Sequence, residues 1–147
     1  MKTISEQIFN TIDSVKQELF KLSDETASLK PAPDKWSKKE ILGHLIDSAL
    51  NNHQRTVRAM LNSAADFPAY NQDDWVEIQK YCERDWKELV ELFSVVNFNF
   101  CKLLEVVPAE TLSNPVNAGK EKPFTLEFII TDYLRHLKHH LEQILKS

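Results

Sequence analysis

Apolar residues recur at three- and four-residue steps in four separate stretches, and each stretch reads as an amphipathic helix. In the first, Ile4 to Leu22, the positions Ile8, Ile12, Val15, Leu19 and Leu22 share a face. The segment Lys30-Pro31-Ala32-Pro33-Asp34 interrupts the pattern, because proline disfavours helix at and just before its own position. A second helix opens at Ser37, three residues before Glu40, the spacing of a capping box, and runs to about Asn62. The third covers Glu83 to Val106 with Trp86, Leu89, Leu92, Phe93, Val96, Phe100 and Leu103 inward, and Pro108 stops it. Thr125 caps a fourth, which continues to about Leu145. Two long connections remain. Ser63 to Tyr81 holds Pro68, Tyr70 and Trp75, with a short helix expected around Asp74 to Lys80. Ala109 to Phe124 holds Pro115, Gly119 and Pro123. Connections of that length are often functional. The expected architecture is all-α: one four-helix bundle spanning residues 1–147, with long connections after the second and third helices.

Composition narrows the function classes. Hydrophobic residues make up 42% of the 147, enough for a real core, and two glycines favour helices over a turn-rich β-fold. The net charge is −4, from 18 basic and 22 acidic residues with no basic block. No concentrated positive surface for nucleic acid is expected. No apolar run approaches the ~18 residues that span a bilayer, and Met1 to Asn10 carry no apolar signal region. A cytoplasmic protein with neither nucleic-acid nor membrane partner is expected. Cys82 and Cys101 are too few for a disulfide framework and read as free thiols.

The candidate chemistry lies in the histidines. His136 and His140 are one helical turn apart at the edge of the apolar stripe, where both imidazoles can reach one ion. His139 falls on the other side, toward solvent or the pocket rim. The zinc-protease pattern needs Glu directly after the first histidine, and Leu137 stands there instead. On the second helix, His44, Asp47, Ser48, Asn51, Arg55 and Arg58 fall along one line, opposite Leu42, Ile46, Ala49, Val57 and Met60. That line reads either as solvated surface or, if it faces inward at one end, as the wall of a pocket with His44 as third ligand. His53 reads as a packed histidine. Three protein ligands, unlike the four of a closed structural zinc site, leave positions open for water or a thiol. Imidazole suits zinc, nickel, copper and iron, so ligand type does not choose the metal.

Asp132, one turn before His136, and Asp47 are candidates to hold the second imidazole nitrogens; the alternative for both is a solvated charge. Asn51 and Arg55 are candidate substrate contacts, Arg55 as a carboxylate clamp or else a salt bridge at the surface or a dimer interface. Tyr70 and Trp75 read as a pocket roof or as core plugs.

The segment Trp36 to Ser48, WSKKEILGHLIDS, resembles the start of the second helix of DinB-like proteins. Asn51 to Arg55 and Pro68 to Trp75 resemble the bacillithiol-transferase-like YfiT subgroup, and His136 to Ile144 resembles the family's last helix. The likeness spans Trp36 to Ile144. It implies a four-helix bundle, often dimeric, with a divalent ion held at the positions of His44, His136 and His140. Zinc or nickel leads, with iron or manganese as further options. It also implies thiol transfer in several members and metal-dependent hydrolysis in others. Three functions follow as expectations. The first is a metal-dependent S-transferase that joins a low-molecular-weight thiol to a small electrophile, with a hydrolase on the same site as its variant. The second is a non-enzymatic helical dimer or binding module with a structural metal, whose fourth ligand would come from Asp47, Asp132 or His139. The third is a stress-related interaction protein without metal.

Overall fold

A computed structural model describes residues 1–61 and 65–146, with Ala65 and Asp66 described by their backbone alone. Four long helices carry the fold: α1 (Lys2–Lys21), α3 (Lys38–Leu61), α5 (Trp86–Glu105) and α6 (Leu126–Lys146). Two short ones, α2 (Asp24–Ser28) and α4 (Gln72–Ile78), lie in the connections. The expected second-helix end at Asn62 and connection start at Ser63 fall outside the described residues.

Three of the four long helices open on a side-chain cap. Ser37 N–H donates to Glu40 Oε2 at 2.7 Å and Glu40 N–H to Ser37 Oγ at 3.3 Å, the reciprocal pair of a capping box at α3. Thr125 Oγ1 accepts from Phe128 N–H at the start of α6. The third helix departs from expectation. Residues Tyr81–Glu83 form a 3-10 turn, and α5 begins only at Trp86, where the Asp85 carboxylate accepts from Glu88 N–H. Ser23 likewise caps α2, a helix the apolar pattern does not announce.

Each of α1 and α3 packs against both α5 and α6, which places α1 diagonally across from α3. Consecutive helices in a simple up-and-down bundle are neighbours. Here two of the three links, α1 to α3 and α5 to α6, cross the bundle. The core fills the middle with Ile8, Ile12, Leu45, Phe93, Phe100, Ile130 and Leu137. The two connections after α3 and α5 are tied by a small sheet absent from the sequence reading: β1 (Ala65–Asp66), β2 (Pro115–Asn117) and β3 (Phe124–Thr125). β1 runs parallel to β2, and β2 antiparallel to β3. Gly119 adds to the tie. Its φ of 76° and its approach to the Ala69 backbone, where a Cβ would meet Ala69 N at 2.7 Å, leave room for no side chain.

Candidate metal centre

The first three turns of α3 are buried nearly all round, because α5, α6, α4 and the Tyr81 turn surround them. The polar line of α3 therefore faces inward at its N-terminal end: His44, Asp47 and Ser48 are buried, while Arg58 at the far end is exposed. α6 lies alongside and brings His136 and His140 to the same place. Single nitrogens of the three lie within 4.8 Å of one another. His44 Nε2 and His136 Nε2 are 3.0 Å apart, and the three ring centroids are separated by 4.9, 4.9 and 4.5 Å. Two imidazole nitrogens on one zinc, each at about 2.0–2.1 Å, stand about 3 Å apart, so the spacing fits a shared ion. His140 Nδ1 pairs with Gln143 Oε1 at 2.8 Å, which leaves its Nε2 free.

The donor set is electrostatically suited to a cation. Burial, reinforced by the neighbouring imidazoles, pushes His44 down to about 3. Burial first, then His140, lowers His136 to about 4, and burial lowers His140 as well. All three are neutral near pH 7, with lone pairs available. His44 Nδ1 and His136 Nδ1 are buried without hydrogen-bond partners. With Nε2 turned inward as a ligand, each Nδ1 would carry a proton that no acceptor among the described residues takes.

The depressed values carry a pH consequence for the metal-free protein. A histidine near 6.5 when unfolded and near 3 or 4 when folded binds more protons unfolded throughout that interval. The stability it contributes is complete above pH 6.5 and is lost as pH falls toward 4 and below. Thermal unfolding between pH 7.5 and 4.5 should show a falling midpoint for the metal-free wild type. A shallower fall is expected in His44→Gln, and equal slopes would refute the assignment.

Among the described residues, neither candidate acid hydrogen-bonds an imidazole. Asp132 is bound by Arg135 at 2.6 and 2.9 Å and makes no hydrogen bond to His136, because Arg135 one turn on competes for it at the surface. Asp47 is buried, and its Oδ1 accepts from Tyr81 OH and Gln79 Nε2, both at 2.8 Å. Its Oδ2 has no hydrogen-bond partner among the described residues. Tyr81 reaches Asp47 because Gly43 lets the ring lie against α3. A Cβ at Gly43 would stand 2.2 Å from the Tyr81 ring. Gly→Ala in a helix normally stabilises by up to about 1 kcal/mol. Gly43→Ala should instead destabilise by about 1–3 kcal/mol through overpacking, read by chemical denaturation. A gain in stability would show that Tyr81 is not held there.

Asn51 donates to the Asp47 carbonyl, Asn52 to the Ser48 carbonyl, and Arg55 and Arg58 lie over the Phe67 ring. Tyr70 is half-buried with its ring 4.6 Å from Trp75, which is itself exposed. The roof expected of that pair falls to their neighbours Gln72 and Asp73. These border a cleft of about 800 Å³ that ends on His140 and Gln143 and is lined further by Leu29, Trp36 and Ile41. Trp36, whose ring lies 5.2 Å from His44, Gln143 and Tyr81 are site residues that the sequence reading did not single out. Gly43 in mid-helix was the available signal for Tyr81, since glycine there marks a close approach.

Comparison with known proteins settles the family. The DinB superfamily profile matches residues 11–144. The chain belongs to the DinB superfamily. Among solved structures, this DinB chain is similar to YfiT from Bacillus subtilis, described as a probable metal-dependent hydrolase with an unusual four-helix bundle topology. The TM-score is 0.82 at 17% identity, over 97% of this chain and 84% of that one. No curated protein matches the sequence. No helix among the described residues is long and apolar enough to cross a membrane.

Proposed function

We propose that this DinB protein is a metal-dependent S-transferase that joins a small thiol to an electrophilic carbon. The carrying observation is an open, largely apolar cleft that ends on His140, one of three neutral imidazoles whose ligand nitrogens gather within 4.8 Å. An apolar wall beside a cation-binding centre suits an organic electrophile, and the positions that three ligands leave open give room for a thiol.

His44, His136 and His140 would hold the ion, with zinc or nickel suited to imidazole donors. Bound there, a divalent ion supplies a Lewis acid that lets a thiol ionise near neutral pH. Neutral imidazoles leave its full charge in place. Leu29, Trp36 and Ile41 give the electrophile an apolar wall. In the reaction R–SH plus R′–X, the sulfur forms the S–C bond, the C–X bond breaks with its electrons on X, and the thiol proton passes to solvent. A hydrolase remains the second reading, supported by the description of YfiT. A homodimer and a cytoplasmic setting accompany the proposal.

The test uses untagged protein loaded with zinc or nickel, L-cysteine, and 1-chloro-2,4-dinitrobenzene. Thioether formation that disappears when the metal is removed supports transfer. Metal-dependent hydrolysis of p-nitrophenyl acetate without thiol transfer supports the hydrolase. A wild type that takes up neither zinc nor nickel defeats both readings.

A further inference from the structure

Of the three histidines at the centre, His140 stands at the open edge. It borders the cleft, and His44 and His136 do not. A ring at an open edge needs something to hold it. Half a turn about its last side-chain bond puts ring carbons where the nitrogens stood, and that torsion is soft. His44 Nδ1 and His136 Nδ1 have no hydrogen-bond partner among the described residues, whereas His140 Nδ1 lies 2.8 Å from Gln143 Oε1. A second contact continues from there. Gln143 Nε2 lies 3.2 Å from His139 Nε2, and the His139 and His140 rings are 5.1 Å apart. Gln143 follows His139 by four positions and His140 by three, so one amide reaches both rings on the surface of α6.

An amide oxygen only accepts and an amide nitrogen only donates, and that fixes the direction of both contacts. His140 Nδ1–H donates to Gln143 Oε1, and Gln143 Nε2–H donates to His139 Nε2. Turning the amide over would require both rings to change tautomer together. It would also move the His140 proton onto Nε2, the nitrogen that a metal ion needs bare. His139 stands outside the group of gathered ligand nitrogens, with its Nε2 on the amide. We propose that Gln143, steadied by His139, is a positioning residue of the metal centre, holding His140 in the Nδ1–H tautomer with its Nε2 lone pair presented to the ion. His139 is then the support of a support and not a fourth ligand. This role rests on the three-histidine metal reading and is independent of thiol transfer.

Two readouts test it. The first is zinc affinity, measured by competition with a chromophoric chelator. Gln143→Leu should weaken it about tenfold, the low end for a residue that orients a ligand, because water competes at the surface. Gln143→Glu, which keeps an acceptor for Nδ1–H, should hold wild-type affinity or better. His139→Ala should weaken zinc in the wild type and cost nothing further in Gln143→Leu. The second readout needs no metal. Proton–nitrogen correlation spectra of the imidazoles in metal-free protein near neutral pH should show His140 as the Nδ1–H tautomer, and a mixture in Gln143→Leu. Unchanged affinity in Gln143→Leu, equal losses with Leu and Glu, or mixed His140 tautomers in the wild type overturn the proposal. So does an independent cost of His139→Ala in both backgrounds. A wild type that takes up no zinc, yet holds His140 in one tautomer through Gln143, upholds the lock and defeats the metal reading. Zinc uptake indifferent to Gln143 does the opposite.

Discussion

Alanine at His136 should abolish tight uptake of a divalent ion and leave the bundle folded. The imidazole is half-buried at the meeting of α3 and α6, and its Nε2 lies 3.0 Å from that of His44. Removing it leaves two ligands that a single ion can reach. Loss of a residue that merely orients a metal ligand costs 10- to 100-fold in affinity, so loss of the ligand should exceed about 100-fold. Folding should survive, because the hydrogen bond lost with the half-buried imidazole is the Nε2 contact with His44, a loss of about 1–3 kcal/mol. Metal content by mass spectrometry, beside far-ultraviolet circular dichroism, reads both halves. Retention of one ion per chain in His136→Ala would remove the three-histidine centre from consideration.

Trp86→Ala should be among the most damaging single changes in the core. Its side chain is fully buried, and its Nε1 donates to the Leu19 carbonyl at 2.8 Å, near the end of α1. Its backbone N–H donates to Asp24 Oδ1, and Asp24 also holds Lys39 of α3 at 2.8 Å. The residue thus stands where α1, α2, α3 and α5 converge. Truncating a buried tryptophan costs about 3–5 kcal/mol. Set against a typical total of about 5–15 kcal/mol, that would take a large share of the stability. Urea denaturation should show a midpoint shift of that size. A cost under about 1 kcal/mol would mean that this corner is loosely packed.

How much of this was legible in the sequence differs by element. The long helices were readable because each carries a buried stripe several turns long, and α3 and α6 announce their starts with Ser37, Glu40 and Thr125. The pairing of His136 with His140 follows from one-turn spacing alone. Their meeting with His44 does not, since it depends on α6 packing beside α3, a choice that the family resemblance supplied and local pattern cannot make. α2 escaped notice because five residues give no period to detect, and the strands because two or three residues give no alternation. The polar line of α3 was ambiguous: the same residue order serves a solvated face and a buried one. Only the neighbours decide, and Gly43, which admits Tyr81, was the single local hint. Of the two readings open for Asp132, the solvated charge fits, because Arg135 one turn on offers that carboxylate a partner on the exposed side.

The crossing of the bundle by two of its links has a consequence for when the three histidines can meet. His44 and His136 are 92 positions apart in the chain. Contacts between such distant segments form only after a large loop has been closed, at a cost in chain entropy that local helices do not meet. The nascent or unfolded chain therefore offers at most the His136–His140 pair, a weak bidentate site, and the full triad comes into being with the assembled tertiary structure. An ion bound by all three histidines would thus be taken up late, and once seated it would work as a clasp between the two halves of the chain.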